Sequence, residues 1–109
     1  MDESLQRHLE QRNETADVLR RAKAMIDRPE KWCQGALLND GGAMCMLGAI
    51  NMAVSGDADL FGGQDAKMAL YAAVGNHPTS VWNNAPERTH AEVMAAFDKA
   101  IALAESSGE

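Results

Sequence analysis

Ala43-Met44-Cys45-Met46-Leu47-Gly48-Ala49-Ile50-Asn51-Met52-Ala53-Val54 is the longest apolar stretch of the chain and carries no charge. A helix without a charged face is one enclosed by protein. Twelve residues fall well short of the roughly 20 that a membrane helix needs, so the stretch reads as the buried central helix of a small domain. Gly48 costs about 1 kcal/mol of helix propensity relative to Ala, for which a close helix crossing is the usual compensation, and Gly56 supplies a stop.

Outward from this centre the helical period recurs. Val18, Leu19, Ala22, Met25 and Ile26 line one face of a segment at about 15–27, with Asp17 four residues before Arg21 and Pro29 beyond its end. Ala66, Ala69, Leu70, Ala73 and Val74 do the same at about 65–74, after the Gly62-Gly63 turn and before Gly75, a residue suited to a helix C-terminus. Thr89-His90-Ala91-Glu92 is a capping box, followed at about 89–105 by a stripe of Val93, Phe97, Ala100, Ile101 and Ala104. No alternating run of β-branched residues occurs, and alanine supplies 19 positions against 8 for Val and Ile together. The fold class is therefore all-α: a small bundle of four main helices (about 15–27, 43–55, 65–74 and 89–105) with short irregular connections. Residues 1–13 read as a polar extension in which Leu5 and Leu9 support a marginal helix, and 14–106 as a single helical domain.

The chain has 109 residues and a mass of 11.7 kDa, room for one hydrophobic core. Sixteen acidic and ten basic residues give a net charge of −6, which argues against nucleic-acid binding through bulk charge. Residues 1–31 are neutral, whereas 32–66 hold no basic residue and four acidic ones, Asp40, Asp57, Asp59 and Asp65. These carboxylates suit helix starts, solubility or contact with a basic partner. No apolar leader or lipidation signal is readable in Met1 to Arg7, so a cytoplasmic protein with Cys33 and Cys45 as free thiols is expected.

Three strings hold residue types that helix packing does not require: Trp32-Cys33-Gln34-Gly35, Cys45-Met46-Leu47-Gly48-Ala49, and Trp82-Asn83-Asn84-Ala85-Pro86-Glu87-Arg88-Thr89. Together, and in this order, they resemble a family of small bacterial and phage domains of unknown function marked by Trp-Cys-Gln-Gly, Cys-X-Leu-Gly-Ala and Trp-Asn-Asp-Ala-Pro-X-Arg-Thr. The resemblance runs from about Ala16 to Ala104 and implies that the motifs act as one unit. The chain departs from the pattern at Asn84, where the family has Asp, which puts in doubt any role that needs a carboxylate there.

Several chemistries compete for these strings. Cys33, placed after a turn begun by Pro29 and at a helix N-terminus, would be a nucleophile if a histidine, His77 or His90, served as its base. Cys45, inside an apolar helix, is poorly placed for a thiolate. The spacings of Cys33 and Cys45 and of His77 and His90 match no compact zinc site, and neither metal nor cofactor is expected. Arg88, Thr89 and His90 bracket a helix start whose backbone N–H groups favour an anion, with Asn83, Asn84 and Gln34 as amide donors and Trp32 or Trp82 as an aromatic wall. The same residues also suit a turn into a capped helix, with Gln34 or Asn51 as partner for a buried indole. The methionines, Met68 included, read mostly as core filler.

The leading expectation is a small helical binding or interaction module with a polar pocket for a small anionic ligand. The alternatives are a cysteine-dependent enzyme using Cys33 with a histidine, and a phage-related regulatory or counter-defence protein whose acidic loops meet a basic protein surface. The small Ala/Met-rich core is also compatible with a homodimer.

Overall fold

A computed structural model describes the chain over residues 3–106, with side-chain environments from Glu14 onward. Five helices follow in order: α1 (Glu3–Met25), α2 (Met46–Ser55), α3 (Gln64–Ala73), α4 (Thr79–Asn83) and α5 (His90–Ser106). Among the described residues there are isolated β-bridges but no strand, and no helix is long and apolar enough to cross a membrane. The fold is all-α.

Long α1 packs against α2 and α5, and α3 packs against α5. The core is drawn from the stripes legible in the sequence: Leu19 and Ala22 of α1 and Ile26 just beyond it, Leu70 of α3, Val93 and Phe97 of α5 are all buried, as are Met46, Ala49 and Ile50 of α2. Surface pairs reinforce the α1–α5 contact, with Arg20 2.6 Å from Glu105 and Lys23 2.6 Å from Asp98. Such exposed pairs contribute about 0–1 kcal/mol each, so apolar burial, not charge, holds the two helices together. Asp17 pairs with Arg20, three residues on, and not with Arg21. Met68 stands in solvent, unlike the other methionines expected in the core.

Helix bounds shift where capping decides them. The first helix reaches back to Glu3, beyond the expected start at 15, and ends at Met25. The central helix starts at Met46, not Ala43, because Cys45 is extended and its sulfur caps the Gly48 N–H at 3.4 Å. Gly56 closes α2 in the left-handed conformation, φ +77°, which glycine adopts at no steric cost. Helix α4 has no periodic signal: five residues cannot show one.

Residues 26–45 are the longest connection and the least regular. Pro29–Lys31 forms one 3-10 turn, after which Met44 is paired on both sides, in parallel with Trp32 and antiparallel with Leu38. The loop then runs over the start of α2. A Cβ on Gly48 would stand 2.0 Å from the Leu37 carbonyl oxygen, so this glycine is required by a loop backbone and not by a helix crossing. Leu37 O in turn accepts from Cys45 N. Gly48→Ala should therefore destabilise the domain by about 3 kcal/mol, because backbone must move to admit the methyl group; urea unfolding followed by circular dichroism measures it.

Candidate functional site

Asn83, the last residue of α4, is 1% exposed and uses every hydrogen-bonding capacity of its amide. Its Oδ1 accepts from Trp32 Nε1 at 2.8 Å and from Met46 N at 3.2 Å. Its Nδ2 donates to Cys33 O at 3.2 Å and to Asn84 Oδ1 at 2.9 Å. One side chain thus joins all three motifs: Trp32 and Cys33 of the first, Met46 at the head of α2 in the second, and Asn84 in the third. The partner of the Trp32 indole is Asn83, neither Gln34 nor Asn51. Asn51 is used elsewhere, donating from Nδ2 to Ala58 O at 2.7 Å.

A second ring of bonds surrounds this hub. Gln34 Nε2 donates to Asn83 O at 2.9 Å and Ala85 O at 2.8 Å, and Gly35 N donates to Asn84 Oδ1 at 2.9 Å. Asn84 takes part only through its oxygen in these two contacts, as an acceptor. A carboxylate at this position would accept the same two bonds, so the departure from Asp leaves the arrangement intact. Asn83 and Asn84 belong to the end of α4 and its cap, not to a free turn entering α5.

Arg88 is drawn inward rather than presented to solvent. Its Nε donates to Trp82 O at 2.8 Å, its guanidinium lies 3.6 Å over the Trp82 ring, and its Nη1 is 3.1 Å from Glu92. Cation–π stacking and the carboxylate together answer the charge that an anion would have answered. The capping box forms: Thr89 N and Oγ1 donate to Glu92 Oε1, and Glu92 N donates to Thr89 Oγ1. The Thr89 backbone N–H, its hydroxyl and then Arg88 hold the Glu92 carboxyl below its ordinary value of 4.5. His90 Nε2 lies 2.7 Å from Ile26 O and so carries the proton that makes this bond, tying the start of α5 to the end of α1; its ring also leans toward Trp32, at 6.3 Å between centroids.

Trp32, Gln34, Trp82, Asn83, Asn84, Arg88 and His90 are thus brought together as the sequence suggested, but with their polar atoms turned largely to one another. Among the described residues no buried side-chain nitrogen or oxygen lacks a partner. The cysteine chemistry expected for Cys33 meets contrary geometry. Cys33 follows the 3-10 turn and its extended cap residue Trp32, not a helix N-terminus; burial, with the charge of Cys45 adding to it, pushes its thiol up from 9.0. No hydrogen bond among the described residues joins it to His90 or to His77, which stands in an exposed bend between α3 and α4. No three His, Cys, Asp or Glu side chains among the described residues group to hold a metal ion.

Two open clefts lie away from the motifs. One, of about 460 Å³, is floored by Met25, Met44 and Met52 beside Asp27, Arg28 and Lys31. The other, of about 250 Å³, is lined by Glu14 and Val18 of α1, Val54 of α2, and Gln64, Asp65 and Ala66 at the start of α3.

Two measurements probe the hub and the cap. Asn83→Ala strands the Trp32 indole and the Met46 N–H in the interior and should cost about 3 kcal/mol or more with a red-shifted tryptophan emission, while Asn84→Asp should stay within about 1 kcal/mol of wild type. A depressed carboxyl stabilises the fold above its unfolded value and loses that contribution as pH falls through its folded value. The stability gap between wild type and Glu92→Gln should therefore be full near neutral pH and shrink below pH 4.5, which acid titration of thermal unfolding will show.

No curated protein and no solved structure matches the chain. A family model does, over residues 10–103, spanning all three motifs and the hub that joins them. The chain belongs to that family, a family of unknown function (DUF6197).

Proposed function

We propose that the protein is a helical interaction module whose binding face is the α2–α3 connection with the exposed side of α3, and whose partner is a protein surface carrying basic side chains around an apolar recess. The observation that carries this is the exposure of large apolar side chains on one stretch: Leu60 at 57%, Phe61 at 72% and Met68 at 68%. A chain with only two phenylalanines and 5% aromatics has placed one of them in water. Exposed aromatic and methionine side chains are the usual anchors of protein interfaces.

The loop that holds them out is fastened from inside. Buried Asn51 donates to Ala58 O and accepts from Gly62 N, and the Ser55 hydroxyl lies 2.7 to 3.1 Å from the carbonyl oxygens of Asn51, Asp57 and Leu60. Asp57 Oδ1 accepts from Asp59 N at 2.9 Å, tightening the turn. An apolar surface presented by a fixed loop loses less conformational freedom on binding than a mobile one.

Charge selects the partner. Asp57, Asp59 and Asp65 flank the apolar side chains, against one ammonium, Lys67, whose Nζ stacks 5.0 Å over the Phe61 ring. The neighbouring cleft adds Glu14. A basic surface gains in association rate and register from such a rim. A small-anion pocket at the motifs has less support, since Arg88 is engaged by Trp82 and Glu92, and an enzyme using Cys33 with a histidine has less still, since the sulfur contacts backbone carbonyls and His90 is bonded to Ile26 O.

Incorporation of a photo-crosslinking phenylalanine at position 61, in cells of the native host, captures the partner covalently, and calorimetry with the purified partner then tests the face. Phe61→Ala should weaken binding by about tenfold or more, and Asp57→Asn with Asp59→Asn should reduce its salt dependence. Equal binding of the Phe61→Ala protein overturns the assignment, and a crosslink formed only between copies of this chain replaces it with a homodimer.

A further inference from the structure

The two cysteines lie in the first two motifs, yet neither thiol enters the Asn83 network or the Phe61 face. We propose that Cys33 and Cys45 are an oxidation site, forming a reversible disulfide through exchange with a low-molecular-weight disulfide of the glutathione class. Backbone register places them for it. Met44 N donates to Lys31 O at 2.9 Å and Cys33 N donates to Met44 O at 3.0 Å, the pattern of a parallel bridge that pairs Trp32 with Met44. The next residue on each side of that bridge is a cysteine.

Parallel neighbours lie about 4.8 Å apart with their side chains on the same face, within the window of roughly 4.4–6.8 Å between Cα atoms that a disulfide spans. Neither sulfur is held by a strong bond: Cys33 Sγ is 3.4 Å from Ala36 O and Ala43 O, and Cys45 Sγ caps Gly48 N at 3.4 Å. All three contacts are weak ones, as sulfur's hydrogen bonds are.

Exposure divides the labour. Cys33 is partly exposed and Cys45 is buried, so a soluble disulfide RSSR reaches Cys33 first. The Cys33 thiolate attacks one sulfur of RSSR, forming Cys33–S–S–R and releasing RS⁻. The Cys45 thiolate then attacks the Cys33 sulfur, forming the Cys33–Cys45 bond and expelling the second RS⁻. Two protein thiols are oxidised, RSSR is reduced to two RSH, and the protons lost by the cysteines go to the departing thiolates. Closure binds residues 33 to 45, the loop that crosses Gly48, into a ring, and releases the sulfur cap on α2. Because burial disfavours the Cys33 thiolate, oxidation is slow near neutral pH and quickens with pH, about tenfold per unit below the thiol's own value.

The reduced full-length protein, incubated with excess oxidised glutathione at pH 7 and pH 8.5, is followed by intact mass. The expected product is lighter by two hydrogens, appears faster at the higher pH, and yields fragments that remain joined after cleavage before Asp40 until reductant is added. Cys45→Ser should instead accumulate a glutathione adduct on Cys33, and Cys33→Ser should react much more slowly than wild type. Wild-type mass needs no variant to fold. A persistent Cys33 adduct in wild type, an intermolecular disulfide, or a chain that stays reduced while its urea-unfolded form oxidises each overturns the proposal.

Discussion

The amide of Asn83 is the constraint on which the rest of the structure leans. A short side chain with two acceptor sites and two donors is required at a point where an indole N–H, a helix-start N–H, a backbone carbonyl and the Asn84 oxygen converge. Aspartate offers no donor there, and glutamine carries its amide one carbon too far. The Met46 N–H is buried and the other three groups are half-shielded, so a buried group left unpaired would cost on the order of 1–3 kcal/mol, and the Trp32 indole comes from 51 residues away in the chain. The irregular connection between α1 and α2 is therefore held in place by α4, a helix of five residues whose principal contribution is to deliver this one side chain.

The inward turn of the motif residues has a consequence for function. Polar and aromatic side chains of the kind that often line a ligand site are here engaged with one another, and Arg88 is covered by an indole on one side and a carboxylate on another. The unsatisfied chemistry of the surface is found instead where the sequence has only a short Asp/Gly-rich joint. There, Asn51 and Ser55 fasten a turn from within while Leu60 and Phe61 face water. The two regions differ in kind: one fixes the bundle, and the other holds large apolar side chains in water.

Much of the architecture was legible beforehand. Period-3.6 stripes marked α1, α3 and α5 because each helix buries one face against the same core, and the charge-free run marked α2, whose first half, Met46 to Asn51, is buried although Val54 near its end is 45% exposed. The Thr89–Glu92 box was legible because both partners lie within one turn. The site was legible only in part: the three motifs were singled out, and they do meet, but Asn83 as their centre was not distinguishable from Asn84 or Gln34. Leu60-Phe61 went unremarked as a surface, although two large apolar residues between Asp59 and Gly62, with no helical period to bury them, were the signal available.

Sequence alone determined the four longer helices, the Thr89–Glu92 cap and the absence of a charged face on α2, since these follow from contacts within one or two turns and from the sorting of apolar residues out of water. Tertiary structure alone decided the roles of Gly48, Asn83 and Arg88. Gly48 answers to the Leu37 carbonyl, Asn83 to Trp32, and Arg88 to the Trp82 ring and carbonyl. Each of these depends on where another stretch of backbone comes to rest. No local propensity encodes that position, because it is set by the packing of the whole chain.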